Sequence, residues 1–227
     1  MPRMIHIDVI SDTVCPWCYI GKRRLDRAIA ARPDDRFEVE WRPFQLNPDM
    51  PPAGMDRQQY LSLKFGGPDR ARRVYQSVAQ AAAEEGLYLR LDSVARQPNT
   101  FDSHRLIRWS ASAKAQDRVV ELLFQRYFED GADIGDREVL LAIAAAAGMD
   151  ADLVRDLFER DADRDLVMAE EGVARRMGIA GVPCFIIERK YAVSGAQEPS
   201  VLANVFDLVA REREAGADAG AGVVAPA

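Results

Sequence analysis

The hydrophobic period changes twice along this chain. It is strand-like at both ends and helical through most of the middle. Residues 5–10, "IHIDVI", are a β-branched run long enough for one buried strand. Ser11-Asp12-Thr13 supplies turn chemistry, and a helix follows from about Cys15 to Ala31, with Cys18, Leu25, Ala28 and Ile29 at helical spacing. Pro33-Asp34-Asp35 ends it. "RFEVEWRPF" (36–44) then alternates, with Phe37, Val39 and Trp41 on one side and Glu38 and Glu40 on the other. A crossover helix of this length favours parallel pairing of the two strands. Near the far end, "VPCFII" (182–187) and "YAVSG" (191–195) read as a hairpin around Glu188-Arg189-Lys190, and Pro199 to Glu214 as a last helix. The two distant strand regions can share one sheet if the helical stretch between them is an insertion.

That stretch begins irregularly, with Pro48, Pro51, Pro52, Gly54, Gly66, Gly67 and Pro68 around a short helix at 57–64. From residue 69 to 176 it is almost wholly helical. One helix runs to Glu85 and stops at Gly86. Pro98-Asn99-Thr100 opens another, which reaches about Lys114. Val120, Leu123, Phe124, Tyr127 and Phe128 form an apolar stripe on the next. Asp136 and Asp150 are placed to cap two more, the first ended by Gly148. A further helix spans about 163–177. The division expected is 1–45 with 178–214, an all-helical insertion over 46–177, and a disordered tail over 215–227, where small residues show no periodicity. No repeat of solenoid period is present.

A chain of 227 residues, 48% hydrophobic, buries a core without crosslinks. Its formal net charge of -6 argues against a general nucleic-acid binder. The basic runs Lys22-Arg23-Arg24 and Arg70 to Arg73 are interleaved with acids and read as solvated helix faces. No window of about 18 apolar residues suggests a membrane span. "MPRMIHIDVI" has no long apolar stretch before a cleavage site and leads straight into the first strand. The expected location is the cytoplasm, where a cysteine pair is more often catalytic, sensing or metal-binding than a static crosslink.

Cys15 and Cys18 stand in "SDTVCPWCYIGKRR" at the start of the first helix. The thiolate is the form that attacks a disulfide. Unpaired first-turn N–H groups and the helix dipole favour it at Cys15. Pro16 suits the first turn, where its missing N–H is no loss. Cys18 is one turn on, within disulfide reach and on the buried stripe. Cys15 then attacks, and the shielded Cys18 resolves. A structural zinc wants four ligands, and only Cys184, His6 and His104 remain, without a second CxxC, so no metal is expected. Two inert core thiols are the bland rival. Trp17 carries no charge beside the thiolate and is a surface aromatic or an apolar contact for substrate. Asp8 and Asp12 are proton-relay candidates for Cys18, with turn-making the commoner duty of Asp12.

Taken together, "SDTVCPWCYIGKRRL" (11–25), "WRPFQLNPDMP" (41–51), "PNTFDSHRLIRW" (98–109), "DIGDREVL" (133–140), "GIAGVP" (178–183) and "VSGAQ" (193–197) resemble the DsbA-like thioredoxin superfamily in its FrnE-like branch. The resemblance implies an α/β thioredoxin-like fold with a large all-helical insertion. It implies a cis Pro183 beside Cys15 and a Val182 backbone that pairs with an extended substrate or glutathione. It also places Asn99 and His104 near a substrate groove that Phe44 is positioned to line, with core packing the rival role for Phe44 and His104. The implied activity is thiol–disulfide exchange on a protein or small-thiol disulfide. Glutathione or a thioredoxin-like protein would be the electron partner, and no bound cofactor is required. One departure is Cys184 after Val-Pro, where an apolar residue is expected. Strand alternation turns it away from Cys15, as an inert buried thiol rather than a third redox thiol. The related 2-hydroxychromene-2-carboxylate isomerases and kappa-class glutathione transferases typically carry serine at the first cysteine, so the two cysteines here argue against glutathione-dependent isomerisation. A small-molecule role in polyketide chemistry and an apolar-groove binding protein stay open beside disulfide exchange.

Overall fold

The computed structural model describes residues 4–221. In chain order the elements are β1 (Met4–Ser11), α1 (Pro16–Ala30), β2 (Arg36–Pro43), β3 (Met55–Asp56), α2 (Arg57–Phe65), α3 (Pro68–Glu84), β4 (Arg96–Gln97), α4 (Phe101–Ser112), α5 (Gln116–Phe124), α6 (Arg137–Ala146), α7 (Ala151–Glu159), α8 (Arg164–Arg176), β5 (Cys184–Ile187), β6 (Tyr191–Ser194) and α9 (Pro199–Ala221). The main sheet has the order β2-β1-β5-β6. β1 and β2 run parallel, Ile5 opposite Phe37 and Ser11 opposite Pro43. β5 lies antiparallel to β1, with Ile10 opposite Cys184, and β6 closes the hairpin. The two ends of the sequence therefore meet in one sheet, as the two-period pattern implies.

Burial along β1 explains how the sheet is covered. Ile5, Ile7 and Val9 are buried in the main core with residues of α1 and α9. On the opposite face only the end nearest the cysteines is covered. There Ile10, Phe44, Cys184 and Ile186 pack with Ala174 of α8. The other end of that face carries ion pairs instead, His6 with Glu38 and Asp8 with Arg42.

The helical segment shares the main core. Tyr19 of α1 stacks on Phe124 of α5 at 5.0 Å, and Trp41 of β2 meets the same ring edge-on at 6.3 Å. The caps read from sequence are present. Asp136 accepts from the N–H of Glu138, Asp150 from those of Asp152 and Leu153, and Gly148 after α6 has φ 82°. The expected stripe is fully buried, but it does not lie on one regular helix: α5 widens into a π-helical turn at Gln125–Glu129. That turn brings the rings of Tyr127 and Phe128 to 4.8 Å from each other inside the core.

The reading of Lys22-Arg23-Arg24 as a solvated face is overturned. Lys22 and Arg24 are buried. α3 and α5 cover this side of α1 and bring carboxylates with them. Lys22 Nζ lies 3.1 Å from Asp117 of α5, beside Asp26 of its own helix at 3.0 Å, and Arg24 Nε lies 2.9 Å from Glu85 at the end of α3. Two further features carried no sequence signal, the two-residue pairing of β3 with β4 and a 3-10 turn at Leu91–Ser93. At the end of the chain α9 continues to Ala221, over positions read as tail. Residues 222–227 of that expected tail lie outside the described residues. Among the described residues no helix is long and apolar enough to cross a membrane.

Candidate active site

Cys15 is the N-cap residue of α1, extended at φ -93° and ψ 112°, with Pro16 next in the first turn. Its N–H donates to the Asp12 carbonyl at 3.1 Å, and the Cys18 N–H donates to the Cys15 carbonyl at 3.0 Å. The Cys15 thiol points at the Val182 carbonyl, with Sγ 3.6 Å from the oxygen. The Val182-Pro183 peptide is cis. The first cysteine, the helix start and the Val-Pro turn thus meet at one point, although 167 positions separate Cys15 from Val182. Pro16 and Trp17 are half-buried beside them, and Trp17 packs against the main core.

Both thiols are buried, Cys18 more deeply, at 1% exposed against 4% for Cys15. Burial pushes the Cys18 thiol well up. The neighbouring Cys15 pushes the same way by hydrogen bond and charge, while the Ser11 hydroxyl and the Asp12 backbone pull it down. Cys18 is therefore held as a protonated thiol in the reduced protein.

A polar layer joins the cysteine loop to α4. The Asp12 carboxylate is fully buried; Oδ2 accepts the Leu46 N–H at 2.7 Å, and Oδ1 faces His104 Nε2 at 3.5 Å. Among the described residues neither Oδ1 nor Nε2 has a hydrogen-bond partner. Thr13 Oγ1 meets Ser103 Oγ at 2.8 Å and fastens the start of α4 to the cysteine loop. His104 is thus not in an open groove; it is packed in the interior against Asp12.

The remaining site candidates separate. Asn99 holds the start of α4, accepting the Phe101 N–H at 2.9 Å and donating to the Met50 carbonyl at 2.6 Å. Phe44 lies in the core at 2% exposed, under the Arg175 guanidinium at 4.4 Å, and does not line a groove. β2 ends at Pro43, and the turn that follows carries the ring beneath α8, which a linear alternation does not reveal. Asp8 is taken up by Arg42 at 2.7 Å rather than by the dithiol. Cys184 is buried in the smaller apolar cluster, as alternation implies, and burial raises its pKa.

Sequence reasoning missed Gly21. A Cβ there would lie 2.9 Å from Pro183 Cγ and 3.2 Å from Phe185 Cζ. Gly21 is what lets α1 approach the Val-Pro turn so closely. Glycine inside a helix marks such an approach, and that signal was present in "CYIGK".

Residues 6–207 match the model of the DsbA-like thioredoxin domain. A probable DsbA oxidoreductase from Streptomyces coelicolor superposes with a TM-score of 0.80 at 33% identity, covering 88% of each chain. A 2-hydroxychromene-2-carboxylate isomerase shares the fold, with a TM-score of 0.68 at 15% identity over 92% of this chain and 98% of that one. So does the cytosolic disulfide reductase DsbM from Pseudomonas aeruginosa, solved with glutathione, with a TM-score of 0.61 at 16% identity over 91% and 99%. The family match spans the strands, the cysteine helix and the Val-Pro turn at once, and the chain belongs to the DsbA-like thioredoxin family.

Proposed function

We propose that the chain is a cytoplasmic thiol–disulfide oxidoreductase that reduces, oxidises or isomerises disulfides through Cys15 and Cys18. The observation that carries this is the placement of Cys15 Sγ at the N-terminus of α1, 3.6 Å from the Val182 carbonyl and beside Pro183, with Cys18 buried behind it.

In the reducing direction the Cys15 thiolate attacks one sulfur of the substrate disulfide. A Cys15–substrate disulfide forms, and the other substrate sulfur leaves as a thiolate and takes a proton. Cys18 then loses its proton and attacks Cys15 Sγ, closing the Cys15–Cys18 disulfide and releasing the second substrate thiol. Two electrons pass from the dithiol to the substrate. The barrier for Cys18 is its raised pKa, and the buried Asp12–His104 pair is the proton acceptor we assign to that step. Val182 and Pro183 orient the incoming disulfide, and Pro16 and Trp17 flank its approach. Glutathione or a thioredoxin-like protein restores the dithiol, and no resident metal or organic cofactor takes part. DsbM, of the same fold, has been solved with glutathione, which supports glutathione as co-substrate here.

The test is a glutathione redox titration with free thiols counted by maleimide mass tagging. Cys15 and Cys18 should lose their thiols together in a two-electron transition, at a potential between about -120 and -280 mV. Cys184 should stay reduced, and Cys15→Ser should abolish exchange. A pair that stays reduced across that range would reject the proposal. Glutathione-dependent turnover of 2-hydroxychromene-2-carboxylate by Cys15→Ser protein would move the assignment to isomerisation.

A further inference from the structure

The helical segment contains a cleft that the dithiol chemistry does not use. It lies between α2, α3 and residues 88–95, and its volume is about 1140 Å³, slightly beyond the usual range for small-molecule sites. Arg57 lines it and is 7% exposed. Nη1 donates to Gln97 Oε1 and, at 3.3 Å, to Tyr127 Oη, and Nη2 donates to Tyr75 Oη. Nε is enclosed and donates to nothing among the described residues. All three acceptors are uncharged.

The other buried basic side chains are treated differently. Lys22 has Asp26 and Asp117, Arg24 has Glu85, and Arg105 has Asp102 at 2.8 Å. Among the described residues no carboxylate pairs with Arg57. A buried charge is costly unless it is paired. The faces of Tyr60 and Tyr75, at 5.5 and 5.6 Å, supply only part of what a counter-charge would. Arg57 therefore carries a charge that no carboxylate among the described residues offsets, at the wall of a cleft large enough to admit a ligand.

The rest of the lining narrows the ligand. Asp56 is committed to capping α2, where it accepts the Gln59 N–H at 2.9 Å. Asp92 stays on the wall and opposes a dianion, while Arg72 and Arg90 favour one negative charge. Leu61, Leu91 and Val94 are apolar, and Tyr88 leaves a ring 80% exposed beside them. We propose that the cleft binds a small organic carboxylate with an aromatic or aliphatic body. The carboxylate neutralises Arg57, and the body lies among Leu61, Tyr75 and Tyr88.

Calorimetric titration of the full chain tests this with 4-phenylbutyrate and octanoate, each against its own amide. The acids should bind at one site, about tenfold or more tighter than the amides, as an ionic contact with an uncompensated guanidinium requires. Arg57→Met should bring the acids down to the level of the amides. Ala79→Trp fills the cleft from an exposed wall position and leaves the partners of Arg57 in place, so it should abolish binding. It also decides the matter if Arg57→Met does not fold. Cys15→Ser should bind as the parent does, which separates this site from the dithiol. Equal affinity for acid and amide, no saturable binding of either acid, or binding unchanged in Ala79→Trp would overturn the proposal.

Discussion

Replacing Gly21 by alanine sets helix propensity against packing at the centre of the site. In an exposed helix interior, alanine is better than glycine by about 1 kcal/mol. At position 21 the new Cβ would sit 2.9 Å from Pro183 Cγ and 3.2 Å from Phe185 Cζ. The shorter contact is about 0.6 Å inside the ~3.5 Å at which carbon atoms normally meet. Pro183 Cγ belongs to a ring tied to the backbone and Phe185 is 1% exposed, so neither can swing aside. Overpacking of this kind costs about 1–3 kcal/mol, which outweighs the propensity gain and leaves a net loss of about 1 kcal/mol. The movement falls on the peptide that faces Cys15 Sγ. A misplacement of ~1 Å can lower a rate ~100-fold, so about half that displacement should slow exchange about tenfold. Urea denaturation and the rate of reduction of a glutathionylated peptide measure the two effects. An alanine variant at least as stable as the parent and equally fast would refute the claim that this contact seats Pro183.

Three further outcomes are expected. Its raised pKa keeps Cys18 protonated where an ordinary thiol begins to ionise, so iodoacetamide should label Cys15 well before Cys18, as peptide mapping would show; the folded chain also holds that proton more tightly than the unfolded one, so this part of the stability is complete below about pH 8.5 and declines above it, less so in Cys18→Ala. Asp12→Asn keeps an acceptor for the Leu46 N–H but removes the carboxylate facing His104, so the protein should fold while resolution slows about tenfold or more, seen as accumulation of the Cys15 mixed disulfide; unchanged resolution would remove Asp12 from the proton path. Glu121 is pushed up by burial, but the Arg23 hydrogen bond and the charges of Arg23 and Lys22 outweigh this and lower its pKa; its contribution is present above the ordinary carboxylate range and is lost as pH falls through the folded value, so Glu121→Gln should lose about 3 kcal/mol near neutrality and flatten the acid limb of the stability profile.

Much of this architecture was legible because it is local or periodic. The β-branched run, the alternating second strand and the helix between them declare a parallel pair, and the aspartates at 136 and 150 declare caps. The dithiol is legible for the same reason, since CPWC at a strand-to-helix junction needs only its own neighbours to place Cys15 at the first turn. Cys184 follows from the two-residue period of a strand.

What the linear pattern did not disclose depends on which distant surface arrives where. Lys22 and Arg24 look like solvent-facing charges until α3 and α5 close over α1 and pair them with Glu85, Asp117 and Glu121. Phe44 looks available to a groove until α8 covers it. Asp12 and His104 are 92 positions apart, and no spacing rule joins them; the packing of α4 under the cysteine loop does. The sequence by itself determined the strands of the main sheet, most of the helices and the two cysteines, because hydrophobic period and turn chemistry act over a few residues. Only the tertiary structure decided which charges are buried and paired, which aromatic is core, and that among the described residues no carboxylate meets Arg57, because burial and pairing are set by non-local packing.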